Sequence, residues 1–125
     1  MPDLLTPVIS ARKKEIVQQY LQQLDGHIQE LKEGNAERAL EIRDFARMLH
    51  VHPVHLSNTI KEVTGQSTCS LYEERLVQIA KELLLTSNMP VAAIAARFTY
   101  DPSNFTKFFK HYTGTTPKKF RDSHS

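Results

Sequence analysis

Apolar residues recur at steps of three and four along most of the chain, and no stretch alternates with the two-residue period of a half-buried strand. Ile16, Val17, Tyr20, Leu21, Leu24, Ile28 and Leu31 make one such stripe, which predicts a packing helix that stops at Gly34-Asn35. Gly26 lies inside it and costs about 1 kcal/mol relative to Ala, which weighs against one unbroken helix. Ile42, Phe45, Ala46 and Leu49 form a shorter stripe, and Leu56, Ile60 and Val63 resume it after Pro53. Leu71, Leu76, Ile79, Ala80, Leu83 and Leu84 then predict a helix from about Cys69 to Thr86, with Thr68 or Ser70 capping its start. At about 1.5 Å per residue that helix is about 25 Å long.

A repeat relates these stripes to one another. Shifting the chain by 49 residues aligns IRDFARMLHVHPVHLSNTIKEVTGQS, from Ile42, with VAAIAARFTYDPSNFTKFFKHYTGTT, from Val91. Ala46 falls on Ala95, Pro53 on Pro102, Lys61 on Lys110, Thr64 on Thr113 and Gly65 on Gly114. Apolar positions match as well: Phe45 with Ile94, Leu49 with Phe98, Leu56 with Phe105, Ile60 with Phe109. Each unit therefore reads as a short helix, a tight connection and a second helix. Proline suits the first turn of that second helix, where its missing N–H would lack an intrahelical partner. Asp101 before Pro102 is a strong N-cap. Gly65 and Gly114 supply the left-handed residue that ends a helix, and Ala46 and Ala95 are small where two helices must cross closely.

Composition narrows the classes of function. A chain of 125 residues fits one compact domain or two very small ones. No apolar run reaches the roughly 20 residues needed to cross a bilayer, and residues 1–10 lack the basic start and apolar core of a signal peptide. The expectation is a cytoplasmic protein without membrane association. One cysteine, Cys69, excludes an internal disulfide. The net charge of +2 is unevenly spread: residues 1–40 carry five Lys/Arg against six Asp/Glu, residues 41–85 five against six, and residues 86–125 six against two. The basic excess thus sits at the C-terminal end, the pattern of an anion-binding surface and also of an ordinary solvated face.

Two segments carry a resemblance to a known family. IAARFTYDPSNFTKFFKHYTGTTPKKFR, from Ile94 to Arg121, is similar to the signature of the AraC/XylS family's DNA-binding domain: a small-residue helix, a turn, F-x-x-x-F-K, then G-x-T-P-x-x-[FY]-R. LYEERLVQIAKELL, from Leu71, is similar to that family's linker helix, with its R-L-x-x-A-x-x-L-L pattern. The resemblance covers roughly residues 12–121. It implies an all-α fold of two helix-turn-helix, homeodomain-like three-helix units: an N-terminal extension at 1–10, a first unit with its packing helix at 11–68, a linker helix at 69–86 and a second unit at 87–125. It further implies a bacterial, nucleoid-associated transcriptional regulator, an activator, that needs no cofactor and binds double-stranded DNA sequence-specifically. Its two recognition helices would enter successive major grooves, which recur about every 34 Å. RNA polymerase is a further candidate partner, and the choice between monomer and dimer stays open. The sequence departs from the family where Thr99 replaces a common glycine, where His52 replaces a common Ser before Pro53, and in a long connection from Gly34 to Glu41. A tighter or differently shaped second turn is the expectation at Thr99.

Direct readout needs donors and acceptors on the exposed N-terminal half of each recognition helix. With Leu56, Ile60 and Val63 turned to the core, Val54, His55, Ser57, Asn58 and Lys61 remain. With Phe105, Phe109 and Tyr112 buried, Ser103, Asn104, Thr106, Lys107 and Lys110 remain. The resemblance favours Val54, Ser57 and Asn58 with Ser103, Asn104 and Lys107 as the base-contacting sets. Asn58 or Asn104 suits adenine, Lys107 guanine, and Val54 a thymine methyl. Lys61, Lys110, Lys118, Lys119 and Arg121 are expected on phosphates, which need no base-specific geometry, and Arg75 is expected to bridge helices. Other chemistries fit less well. His50, His52 and His55 straddle a proline turn with no cysteine pair beside them, a poor zinc site. Cys69, or Asp44 with His50, lacks the second orienting group and oxyanion motif of an enzyme, so Cys69 is expected to be a small buried or capping residue. A helical protein-interaction module is the alternative, and steep salt dependence separates DNA binding from it.

Overall fold

A computed structural model describes residues 9–124; most of the expected N-terminal extension lies outside the described residues. Among the described residues seven helices follow one another: α1 (Ala11–Glu33), α2 (Ile42–Leu49), α3 (Pro53–Thr64), α4 (Thr68–Thr86), α5 (Val91–Arg97), α6 (Pro102–Thr113) and α7 (Pro117–Ser123). Among the described residues there is no strand. The all-α expectation holds.

Helix α1 starts where the Ser10 hydroxyl accepts the Lys13 N–H at 3.1 Å and ends at Gly34, whose φ of 76° closes it in the left-handed region. It runs unbroken through Gly26, which lies on the exposed face, so the weak propensity of one residue is outweighed by burial of the stripe on the other side. That stripe packs against α2, α3 and α4. Helix α4 is capped by Ser67, whose hydroxyl accepts the Ser70 N–H at 3.1 Å, so neither Thr68 nor Ser70 is the cap.

The two units share their backbone as well as their sequence. His50 and Thr99, 49 residues apart, are the two non-glycine residues with positive φ among those described, at 58° and 63°. After them the Val51 N–H donates to the Ala46 carbonyl and the Tyr100 N–H to the Ala95 carbonyl, each at 3.0 Å. At the far ends of α3 and α6, the Thr64 and Thr113 hydroxyls donate to the Ile60 and Phe109 carbonyls at 2.7 and 2.8 Å. Gly65 and Gly114 then terminate both helices at φ 75° and 79°. Thr99 therefore adopts the glycine-like conformation outright, and the second turn has the same shape as the first. Helix α7 completes the second unit: Pro117 opens it and the Thr116 hydroxyl accepts the Lys119 N–H at 3.2 Å.

One continuous apolar core runs through both units, from Ile16 and Tyr20 through Leu56, Ile60 and Leu76 to Phe98, Phe105 and Phe109. The long connection before α2 is held by polar contacts. Arg38 lays its guanidinium across both Asp44 oxygens at 2.8 and 2.9 Å, Asp44 also accepts the Glu41 N–H, and buried His27 accepts the Leu40 N–H on Nε2 at 3.0 Å.

Candidate nucleic-acid interface

The corner geometry decides which half of each second helix is free. Leu56, Thr59 and Ile60 of α3 and Phe105 and Phe109 of α6 are buried. Val63 and Tyr112 are only half-buried; the Tyr112 hydroxyl donates to Glu73 Oε2 at 2.6 Å instead of turning wholly into the core. This leaves one polar face open at the N-terminal end of each helix. Val54, Asn58, Ser103, Asn104 and Lys107 are exposed and Ser57 is half-buried. At 60% exposure Val54 is the most exposed of the large apolar side chains among the described residues.

The two helix heads differ in chemistry. His52 caps α3 by accepting the Val54 N–H on Nδ1 at 3.2 Å, whereas Asp101 caps α6 by accepting the Asn104 N–H at 2.8 Å. The second Asp101 oxygen also accepts the Asn104 side-chain amide at 2.7 Å. Asn104 is thereby fixed with its carbonyl oxygen and one amide hydrogen left to an outside partner.

Cations divide into two groups. On α1, α2 and α4, Lys13 pairs with Glu62, Lys32 with Glu82, Arg43 with Glu41 and Arg75 with Asp25. Lys61, Lys107 and Lys110 are exposed and make no ion pair among the described residues, and Lys118 and Lys119 are exposed on the first turn of α7. Arg121 stands apart from this group. Its guanidinium donates to the Leu84 and Ser87 carbonyls at 2.9 and 3.4 Å, where it satisfies carbonyls left free at the end of α4.

The other chemistries are resolved by placement. His52 is committed to its cap, and Asp44 faces Arg38, not His50. Cys69 is exposed, neither buried nor capping, and its thiol donates to Glu73 Oε1 at 3.0 Å. That hydrogen bond and partial burial push the thiol pKa up, away from a nucleophilic thiolate. A groove of about 690 Å³ lies over α1 and α4, lined by Asp25, Ile28, Arg75, Val77, Lys81 and Tyr112, and neither the Val54, Ser57 and Asn58 set nor the Ser103, Asn104 and Lys107 set borders it. Sequence reasoning missed His27, Arg38 and Asn104's anchoring by Asp101. The signal for His27 was its position on the α1 stripe between Leu24 and Leu31.

Known proteins bear on this geometry. A family model described as a helix-turn-helix domain matches residues 45–123. A second model, a CEP63/DEUP1 coiled coil that binds CEP152, matches residues 14–37, mostly α1, whose apolar stripe is covered here by α2, α3 and α4. The arabinose operon regulatory protein of Escherichia coli K12 is 27% identical over 124 residues, covering 95% of this chain and 42% of that protein. The transcriptional activator AarP of Providencia stuartii is 29% identical over 90 residues, covering 71% of this chain and 67% of that one. Among solved structures, the C-terminal domain of AraT, a response regulator from Geobacillus stearothermophilus, aligns with a TM-score of 0.76 and 29% identity over 97% of this chain and 88% of that one. The DNA-binding domain of AdpA, solved with a target DNA, shares the fold with a TM-score of 0.73 at 17% identity, over 85% of this chain and 92% of that one. The chain spans less than half the length of the arabinose regulators it matches.

Proposed function

Because this chain belongs to the AraC-type family of helix-turn-helix domains, we propose that it is a transcriptional regulator that reads duplex DNA with α3 and α6. The observation that carries this reading is the repeated corner, which leaves the polar N-terminal halves of both helices exposed in the same orientation within each unit. Val54, Ser57 and Asn58 meet one half-site and Ser103, Asn104 and Lys107 the other. With one amide hydrogen held by Asp101, Asn104 offers the acceptor and donor that match adenine N6 and N7. Lys61, Lys110, Lys118 and Lys119 neutralise phosphates. Arg121 seats α7 on α4 and drops out of the phosphate set. The linker helix α4 separates the units, so the two half-sites lie on one face of the duplex. The arabinose regulator and AarP are named as regulators and AdaA of Bacillus subtilis as a bifunctional transcriptional activator and DNA repair enzyme; the regulatory role common to these names favours this reading over a protein-interaction module.

In vitro selection of bound duplexes tests it. The expected product is a site with two conserved half-sites about one helical turn, about 10 base pairs, apart. On that duplex Asn58→Ala and Lys107→Ala each lower affinity by about tenfold or more, against a small change on a scrambled duplex. Equal losses on both duplexes would remove these side chains from the base-reading set.

A further inference from the structure

The repeat exposes one pair of positions whose roles diverge. Met48, in the last turn of α2, is 46% exposed. Its counterpart 49 residues on is Arg97, in the last turn of α5, and Arg97 reaches across to the first unit. Its guanidinium donates to the Lys32 carbonyl at 2.6 Å, in the last turn of α1. That carbonyl has no partner further along its own helix, and a cation suits the negative end of the helix dipole. The next turn is shaped to receive the same group. Gly34 has a φ of 76°, and a Cβ built there would sit 3.3 Å from Arg97 Nε, so a bare backbone lets the guanidinium lie against it.

Two further polar ties of the second unit run to one helix. Tyr112 binds Glu73 near the start of α4, and Arg121 binds the Leu84 and Ser87 carbonyls near its end. Those two ties fix position along α4 but not rotation about it, which the packing of α5 on α1 opposes from the side. Arg97 is an attachment away from that axis, and it joins the second unit directly to the first. We infer that Arg97 is a positioning residue that locks the orientation of α6 relative to α3 and so sets which half-site spacing the protein accepts. The inference rests on the DNA-binding reading for its consequence but not for its geometry.

Two measurements test it. In a Cys69→Ser background, spin labels at Arg47→Cys and His111→Cys, one on each unit, report the inter-unit distance without DNA. Arg97→Gln is expected to broaden that distance distribution, and Arg97→Lys, which keeps charge and stem but loses the planar fork, to broaden it less. On duplexes with half-sites moved by one base pair either way, wild type discriminates against the altered spacing, and Arg97→Gln reduces that discrimination by about threefold or more, because the protein and not the DNA then accommodates the mismatch. An unbroadened distribution in folded Arg97→Gln, or a spacing profile unchanged from wild type, overturns the inference. Should Arg97→Gln not fold, the same two readouts on Arg97→Lys decide. Failure of wild type to bind any duplex would sink the DNA-binding reading alone, since the distance distributions still judge the tie.

Discussion

At the scale of single residues, two side chains occupy positions their chemistry makes costly. His27 is 3% exposed, packed against the Phe45 and Tyr72 rings, with Nε2 accepting from the Leu40 N–H. Only neutral imidazole with the proton on Nδ1 fits that bond. Burial lowers the His27 pKa, partly opposed by Glu30. The unfolded chain therefore takes up a proton below about pH 6.5 that the folded chain resists, and stability present above that pH is lost as pH falls below it. Chemical denaturation at pH 7.5 and 5.5 should show a larger drop for wild type than for His27→Gln, whose amide oxygen still accepts from Leu40; equal drops would dismiss His27 as the cause. Thr99 is the second case. A β-branched residue in the left-handed region costs about 1–2 kcal/mol, so Thr99→Gly should raise stability by about 0.5–1 kcal/mol after glycine's larger unfolded-state entropy is deducted. His50→Gly gains less, because histidine tolerates that region better. Unfolding midpoints of the two variants compare them directly. The odd residue at Thr99 was legible against the family pattern, but its outcome was not. Whether the turn or the side chain yields depends on the Tyr100 N–H to Ala95 bond, a backbone demand that no side-chain pattern displays.

At the scale of elements, periodicity located α1 to α4, the repeat carried α5 and α6, and proline or glycine marked the ends of α1, α3 and α6, since those signals arise from local backbone geometry. What stayed hidden was polar and long-range. Arg38 and Asp44 pin the connection before α2, and Arg97 and Arg121 satisfy carbonyls of helices far away in sequence. An arginine bound to a carbonyl reads in sequence like any cation, which is why Arg121 was expected on phosphate. The exposed second-helix positions were legible because the buried stripe defines its own complement. Gly26 gives an element-scale prediction. It is exposed in mid-helix, and an added Cβ would meet nothing within 4 Å. Gly26→Ala should therefore stabilise the fold by about 0.5–1 kcal/mol through helix propensity alone, read as a higher denaturation midpoint with an unchanged denaturant slope.

At the scale of the whole molecule, the net charge of +2 understates the surface offered to DNA, because Asp25, Glu41 and Glu82 are matched with cations away from the recognition helices. Each phosphate neutralised releases condensed counterions, so log affinity against log salt should fall with a slope of about −3 to −4 for the four lysines assigned to phosphate. Replacing Lys118 or Lys119 by Ala should make that slope shallower by about 1 while leaving the preferred sequence unchanged; an unaltered slope would take that lysine off the backbone. The matched corners at His50 and Thr99 carry an evolutionary consequence. Because the fold is held by the buried faces and the backbone bonds of those corners, changes at Asn58, Ser103 or Lys107 act on exposed side chains, where substitutions usually alter stability by no more than about 0.5 kcal/mol. On the proposed reading, each half of the molecule can therefore drift toward a new DNA word independently of the other, through intermediates that all still fold.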